Sequence, residues 1–263
     1  MKVSLIISTY NWKEALNLCL KSVKNQTVLP DEIIVADDGS RSDTKELIDA
    51  FRNQIPVPVI HVWHEDTGFH LASIRNKAFA KAQFEYVVQI DGDLILHPYF
   101  IADHISFAKE GSFVTGSRSK IREDLSCRLM KEGNIDVSVF MKGTSNFING
   151  LHLPFLSRFS EKRKANDIFA ARGCNMAFWR KDLLAVNGYN EDFEGWGRED
   201  TELVYRLMNI GLEKRFIKFR GIVFHIHHAE RTQSDKLDQN DRLLADSVKR
   251  MLKRCDRGID LYL

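Results

Sequence analysis

Apolar segments of strand length alternate with segments of helical spacing over the first 117 residues of the chain. Continuous apolar runs include "VSLIIS" (3–8), "EIIVAD" (32–37) and "YVVQID" (86–91). Segments such as "KEALNLCLKSVKNQ", in which apolar residues recur with helical spacing, separate these runs. Fully apolar strands joined by helices of ten or more residues are typical of a parallel sheet covered on both faces. We therefore predict an α/β fold with a mostly parallel central sheet and helices on both faces.

Polar residues follow each of the first four predicted strands. The polar sequences are Ser8-Thr9-Tyr10, Asp37-Asp38, His64-Glu65-Asp66 and Asp91-Gly92-Asp93. Open parallel sheets bind ligands beyond the carboxyl ends of their strands, so we predict a binding site at this edge. No GxGxxG follows the first strand and no GxxxxGK[ST] occurs in the sequence, which argues against the usual dinucleotide and P-loop sites.

Charge and cysteine content exclude several classes of protein. The formal net charge is only +2, so no overall field favours a nucleic-acid partner. The four cysteines lie far apart without a CxxC pair, which disfavours a disulfide framework or zinc ribbon and favours a reducing compartment. No apolar run approaches the ~20 residues of a membrane helix, and the N-terminus is typical of a strand rather than a signal peptide. We predict a cytoplasmic location, either free or at the inner face of the membrane.

The "DGD" sequence is a candidate metal site. Asp91 and Asp93 flank a glycine, and a turn there would let two carboxylates diverge around one ion. Hard oxygen ligands suit Mg²⁺ or Mn²⁺, which commonly complete their coordination with substrate phosphates. The alternative is an ordinary turn, because Asp and Gly are also favourable turn residues. The position at the end of the fourth strand favours the metal site.

Several motifs together resemble a known enzyme family. "STYN", "ADDGS", the "RN" pair at 75–76 and "DGD" resemble family 2 glycosyltransferases, in this order and spacing. "GWGREDTEL" resembles the galactosyltransferase-type C-terminal module of β-1,4-galactosyltransferases and chondroitin polymerases. The resemblance implies the GT-A fold, which has a Rossmann-like central sheet and a C-terminal acceptor-side subregion.

The resemblance also divides the chain. Residues 1–117 would form the nucleotide-sugar-binding α/β half, and residues 173–228 would form the acceptor and catalytic half of the same domain. Between them, residues 118–172 are charged and weakly periodic, and we predict a variable insertion. Residues 229–263 would form a C-terminal helical tail, either packed on the domain or resting on anionic lipid headgroups as a peripheral membrane contact.

Roles for individual residues follow from the resemblance. The nucleotide-binding residues would be Ser8, Thr9, Tyr10, Asp38, Asp66, Arg75 and Asp91, with Asp66 and Arg75 completing a uridine pocket. Asp93 would bind the divalent metal that bridges the diphosphate, and Asp200 would be the catalytic base with Glu199 beside it. The sugar and acceptor pocket would be lined by Trp196, Gly195, Gly173 and Asn175.

The residues of "FEGWGREDTEL" suit these roles chemically. Asp200 precedes a predicted helix, whose dipole favours the ionised carboxylate that a base requires. Trp196 offers a flat apolar face for a pyranose ring, and Gly195 and Gly197 permit unusual backbone angles beside it. The alternative is that Glu199 and Asp200 only begin a helix, as acidic residues often do.

The sequence "VFHIHH" supplies three histidines to a possible metal site. Related enzymes place a histidine on the metal downstream of the base, and we predict His225 as this ligand with His228 as the second choice. A zinc site formed by all three histidines is the alternative. In a strand, His225 and His227 would share one face and His228 would lie on the other.

Together these observations predict an inverting, metal-dependent glycosyltransferase that uses Mn²⁺ or Mg²⁺. It would move a hexose or N-acetylhexosamine from a UDP-sugar to an oligosaccharide or lipid-linked glycan acceptor in surface polysaccharide or lipid-linked glycan synthesis. One alternative is a sugar-nucleotide nucleotidyltransferase, although the glycine-rich, arginine-bearing loop expected after its first strand is absent. A nucleotide- or carbohydrate-binding module without turnover is the other, and the intact acidic motifs argue against it.

Overall fold

A computed structural model describes residues 1–229 and 234–263 of the chain. Its strands are β1 (Val3–Thr9), β2 (Glu32–Asp37), β3 (Val59–Trp63), β4 (Tyr86–Asp91), β5 (Leu94–Leu96), β6 (Ser112–Gly116), β7 (Ser119–Ile121), β8 (Thr144–Ser145), β9 (Asn175–Trp179), β10 (Glu213–Ile217) and β11 (Val223–His225). Its α-helices are α1 (Lys13–Lys24), α2 (Ser42–Arg52), α3 (Leu71–Lys81), α4 (Phe100–Phe107), α5 (Glu123–Glu132), α6 (Arg180–Val186), α7 (Glu199–Asn209) and α8 (Ser234–Lys249). Short 3-10 helices span Phe147–Gly150, Pro154–Phe159, Ile168–Ala170 and Ile259–Tyr262.

Seven strands form the central sheet, in the order β10-β6-β9-β4-β1-β2-β3. All neighbouring pairs are parallel except the two that involve β9, which runs antiparallel to β4 and β6. The register places Ser8 beside Asp91 and Thr9 beside Asp37, so the polar ends of β1, β2 and β4 meet at one edge. The predicted α/β fold with a mostly parallel sheet is confirmed.

Apolar side chains pack on both faces of this sheet. Leu5 and Ile7 of β1 belong to a core shared with α1, α2 and α4, whereas Ile6 belongs to a core shared with α3, α6 and α7. Successive side chains of a strand point to opposite faces, so a strand that is apolar throughout needs helices on both sides. This is why the apolar runs lack the alternation of a half-exposed strand.

A second sheet has four strands in the order β5-β11-β7-β8. Its strand β5 follows β4 of the central sheet after a short turn. Two of its strands and α5 come from the segment predicted as a variable insertion. Leu125 and Leu129 of α5 are buried in a third core with Ile95 and Phe224. Two apolar residues four positions apart are enough to anchor a short helix, and they give only a weak pattern in a charged sequence.

The C-terminal segment packs back onto the central domain. Leu244 of α8 is buried, and the Tyr205 hydroxyl of α7 donates a hydrogen bond to the Val248 carbonyl oxygen. Ile259 is fully buried in the core beside α3, and the Tyr262 hydroxyl lies 3.0 Å from that of Ser73. No helix within the described part of the chain has the length and apolar character needed to cross a membrane. Residues 230–233 of the predicted tail lie outside the described residues.

Candidate active site

A tight turn after β4 carries the paired acids. The Gly92 N–H donates to the Ser8 carbonyl oxygen at 2.7 Å, and a Cβ on Gly92 would lie 3.1 Å from that oxygen. Glycine therefore allows the turn to pack against β1. Asp91 ends β4 in the central sheet, and Asp93 directly precedes β5 in the second sheet. The pair thus lies where the two sheets meet.

Asp93 and two histidines form a candidate metal centre. Asp93 Oδ2 lies 3.4 Å from Nε2 of both His225 and His228, and one ligand atom from each residue fits within 4.8 Å of the others. Asp93 Oδ1 is buried without a hydrogen-bond partner in the described structure, which is unfavourable unless a cation or donor compensates it. A carboxylate and two imidazoles suit a divalent ion such as Mn²⁺. The residues present therefore fit a metal.

Burial favours the neutral forms of Asp93 and His225. Burial, with the charge of Asp91 as a second cause, raises the pKa of the Asp93 carboxyl to about 8. Burial lowers the pKa of His225 to about 3, which keeps its imidazole in the neutral form that binds metals.

The third histidine lies outside this cluster. Strand β11 ends at His225, so the alternation expected for an extended strand does not continue to the next two histidines. The His228 side chain lies beside Asp93. His227 is exposed, and its backbone N–H donates to the Ser126 hydroxyl. The structure therefore brings together the two histidines predicted first and second and does not support the three-histidine zinc site.

Arg75 is bonded to both ends of the candidate site. Its guanidinium is buried, and donates from Nε to the Ser8 hydroxyl, from Nη2 to Asp91 at 2.9 Å and from Nη1 to Asp200 at 3.0 Å. A second Nη1 contact reaches the Tyr189 hydroxyl at 3.3 Å. The donors of Arg75 are directed toward protein groups in this structure, and its predicted part in a uridine pocket stays a prediction. Arg75 links the turn after β4 to the predicted base.

Asp200 accepts hydrogen bonds from Arg75 and from two further residues, Tyr189 and Gly173. Its Oδ1 accepts from the Tyr189 hydroxyl at 2.8 Å as well as from Arg75, and its Oδ2 accepts from the Gly173 N–H at 2.8 Å. A Cβ on Gly173 would lie 2.3 Å from both carboxylate oxygens, so any larger residue would displace them. The Asp200 side chain keeps 22% of its surface exposed, which leaves a path for a ligand.

The loop before α7 has an unusual backbone. Gly195 and Gly197 have φ values of +71° and +106°, and the non-glycine Arg198 has +77°. Left-handed conformations are unfavourable for residues with a Cβ, so the loop is strained at Arg198. Trp196 projects with 51% of its surface exposed, and Glu199 is buried with its Oε2 accepting from the Gly197 N–H at 3.0 Å. The loop thus presents an indole beside two acids.

Glu199 should make stability depend on pH. Burial and then the charge of Asp200 raise the pKa of its carboxyl from 4.5 to about 8. Between these values the folded state holds a proton that the unfolded state has lost, so the free energy of unfolding falls as pH rises. Glu199→Gln cannot ionise, and its melting temperature should decline less than the wild type's between about pH 5 and about pH 8. Exposed Glu46→Gln is the control and should follow the wild type; equal slopes for Glu199→Gln would contradict the assignment.

The loops after β1, β2 and β3 form the predicted nucleotide end of the site. The Tyr10 hydroxyl donates to Asp66 at 2.9 Å, and Gly39 lies so close to Asp66 that a Cβ would be 2.7 Å from its Cα. Asp38 is buried, with His64 Nε2 2.7 Å from Oδ1 and the His70 N–H donating to Oδ2. These residues are brought together as predicted, and their contacts with a nucleotide remain predictions.

The Asn175 side chain is bonded inside the fold. Its side chain is fully buried, where Nδ2 donates to the carbonyl oxygens of Ser117 and Gly221 and Oδ1 lies 3.1 Å from His104 Nε2. Asn175 thus joins β9 to neighbouring loops in this structure, and its predicted contact with the sugar stays a prediction. An amide in a strand can face either the cleft or the interior, and the sequence "RGCNM" does not distinguish these orientations.

Two residues beside Asp200 were missed by sequence reasoning. Tyr189 and Gln89 are fully buried and hydrogen bonded to each other and to the groups around Asp200. A glutamine inside the apolar run "YVVQID" was an available signal, because a buried amide needs partners. For Tyr189 the sequence offers no comparable signal.

Comparisons with known proteins are consistent with this geometry. The model of "Glycosyl transferase family 2" matches residues 4–185, and that of "N-terminal domain of galactosyltransferase" matches residues 154–229. Chondroitin synthase of Escherichia coli is 26% identical over 82% of this chain and 33% of its own length. Hyaluronan synthase of Pasteurella multocida is 28% identical over 80% of the chain and 23% of its own length. The chain therefore spans a third or less of these two relatives.

Solved structures show the same fold at low sequence identity. GalNAc-T7 has a TM-score of 0.67 at 17% identity, covering 94% of this chain and 48% of its own. Staphylococcus aureus TarS (residues 1–349) has a TM-score of 0.66 at 17% identity, covering 100% of this chain and 69% of its own. Because the first family model spans more than half of its length, the chain belongs to glycosyl transferase family 2, and its fold is the GT-A fold.

Proposed function

We propose that this protein transfers a hexose or N-acetylhexosamine from a UDP-sugar to a saccharide acceptor with inversion, using a divalent metal. The observation that carries the proposal is the position of Arg75, whose guanidinium contacts Asp91 at 2.9 Å and Asp200 at 3.0 Å. The acidic turn and the predicted base therefore lie on either side of one side chain. A donor held at the turn would present its anomeric carbon near Asp200.

Asp200 would act as the general base. Its Oδ2 has a single hydrogen-bond donor in the described structure, the Gly173 N–H, and can accept another from an acceptor hydroxyl. As that proton moves to Asp200, the hydroxyl oxygen bonds to the anomeric carbon. The bond from this carbon to the diphosphate oxygen breaks, and its electron pair leaves with UDP. Attack opposite the leaving group inverts the anomeric centre.

The diphosphate end would be held by cationic groups. Asp93, His225 and His228 would bind the metal, which when present offsets negative charge on the departing diphosphate. Arg118 interacts electrostatically with both Asp91 and Asp93 and would assist as a second cation. Arg75 is engaged by Asp91 and Asp200 and would keep these two acids in place.

The relatives' names support the choice of substrates. One solved TarS structure is described with UDP-GlcNAc, and the GalNAc-T7 structure with UDP, GalNAc and Mn²⁺. The chondroitin and hyaluronan synthases point to a polysaccharide acceptor. A Campylobacter jejuni relative, named GalNAc(5)-diNAcBac-PP-undecaprenol beta-1,3-glucosyltransferase, points to a lipid-linked one. Trp196, half-exposed beside Asp200, would stack on a sugar ring of either acceptor.

Removal of a metal ligand should weaken donor binding only when metal is present. We expect Asp93→Ala and His225→Ala to weaken UDP binding in Mn²⁺ by about tenfold or more, measured by calorimetry. The matched control is His227→Ala, whose exposed side chain lies outside the cluster. With EDTA, all variants should bind UDP equally weakly. Equal affinity of wild type and Asp93→Ala in Mn²⁺ would refute the metal assignment.

A further inference from the structure

Asp200 belongs to a closed ring of hydrogen bonds that the proposed chemistry does not itself require. Gln89 Nε2 donates to the Gly173 carbonyl oxygen at 2.7 Å and lies 2.9 Å from the Tyr189 hydroxyl. Tyr189 donates to Asp200 Oδ1, and the Gly173 N–H donates to Oδ2, both at 2.8 Å. Each carboxylate oxygen therefore has its own donor, and both donors are tied to the same buried amide.

Tyr189 is itself fixed by the helix that carries Arg75. Its N–H donates to Asn76 Oδ1 and its carbonyl oxygen accepts from Asn76 Nδ2, both at 2.8 Å. The Tyr189 ring stacks on Phe79 with centroids 6.0 Å apart, and the Arg75 guanidinium lies 5.1 Å from the ring centroid on its face. The hydroxyl thus has little freedom to move relative to Asp200.

The hydrogen bonds from Tyr189 and Gly173 also limit how the Asp200 carboxylate can pair with Arg75. Arg75 Nη1 and Tyr189 both donate to Asp200 Oδ1, while Gly173 holds Oδ2 on the far side. Arginine favours two parallel bonds to a carboxylate. Without the tyrosine hydroxyl, the Asp200 carboxylate would be freer to rotate and offer both oxygens to Arg75. That rotation would turn Oδ2 away from an acceptor hydroxyl.

We propose that Tyr189 and Gln89 are positioning residues that hold the plane of the Asp200 carboxylate for proton transfer. Neither residue touches the substrate, since both are fully buried. Their contribution is orientation, for which small displacements of reacting groups cost large factors in rate. This inference rests on the proposed role of Asp200 as the base.

Tyr189→Phe tests the inference by removing only the hydroxyl. We expect kcat for sugar transfer to fall by roughly ten- to a hundredfold, with the donor KM and the Kd of UDP unchanged. Tyr86→Phe is the matched control, because Tyr86 is also buried and its hydroxyl has no partner in the described structure. Its kcat should equal that of the wild type.

Gln89→Met gives a second test at the other side of the ring. It should lower kcat in the same way, and the Tyr189→Phe/Gln89→Met double variant should lose no more than the worse single variant, because both act through one carboxylate. The inference would be overturned in favour of general destabilisation if the kcat losses of the two single variants multiplied in the double variant. A fall in UDP affinity equal to the fall in kcat would overturn it in the same way. Melting temperatures of all variants monitor folding.

The outcomes separate this inference from the proposed function. Wild-type kcat in Tyr189→Phe, together with an inactive Asp200→Asn, would overturn the positioning role and leave the base assignment intact. Full activity in Asp200→Asn would overturn both.

Discussion

Asp200→Asn should bind UDP as tightly as the wild type and transfer sugar about 10³ times more slowly. Asparagine has the same shape, and its oxygen can still accept from Arg75 or Gly173, but it cannot take the acceptor's proton. General base catalysis typically contributes 10²–10⁴-fold to a rate, which sets the expected loss. Transfer from a labelled UDP-sugar in Mn²⁺, alongside calorimetric titration with UDP, measures both quantities.

The chain offers a matched control for this substitution. Another Glu-Asp pair lies nearby at 191–192, where the Asp192 carboxylate is exposed and lies 3.3 Å from Arg257. Asp192→Asn removes the same charge from the same segment and should leave turnover unchanged. If Asp200→Asn kept wild-type turnover, another group would have to accept the proton, and the neighbouring Glu199 would be the first to test.

Arg206→Leu is expected to lower the free energy of unfolding by about 3–5 kcal/mol. Arg206 and Glu202 are both fully buried one helical turn apart in α7, with Nη2 2.7 Å from Oε2. Arg206 Nη2 also donates to the Gly188 carbonyl oxygen at 2.7 Å. Its loss would leave the Glu202 carboxylate buried without its cation. Chemical denaturation monitored by circular dichroism measures the effect.

An exposed pair of the same spacing provides the comparison. Asp246 and Arg250 of the C-terminal segment are also four residues apart, but both side chains are 56% exposed. Exposed ion pairs contribute little because water already solvates and screens both charges. Arg250→Leu should therefore hardly change the unfolding midpoint. A comparable loss in both variants would mean that the buried pair is no more important than a surface contact.

The sequence predicted the main part of the fold because burial on both sheet faces leaves a direct pattern. Strands such as β1 and β4 contain consecutive apolar residues, Leu5-Ile6-Ile7 and Tyr86-Val87-Val88, and only a sheet covered twice requires this. The antiparallel direction of β9 has no such signature, since a buried strand reads the same in either direction. The small sheet was also missed, because strands of two or three residues, such as β7 and β8, are too short to show periodicity.

The site was predictable as far as strand ends determine it. Asp91 and Asp93 lie at the sheet edge because their strand ends there. The motif around Asp200 could be recognised from its glycines and acidic residues. The direction of a long side chain depends on partners distant in sequence. Arg75 turns inward because Asp200, 125 residues away, and Asp91 supply its acceptors. No local pattern contains that information.

The packing of the last residues changes where an independent folding unit can be cut from this chain. The family models end at residues 185 and 229, yet Ile259 is fully buried and Tyr262 contacts α3, the helix that carries Arg75 and Asn76. A fragment excised at the end of the galactosyltransferase match would contain all the proposed ligand-binding and proton-transfer groups. It would also expose an apolar surface beneath them, so sequence similarity alone would give the wrong boundary for a minimal transferase or a chimera.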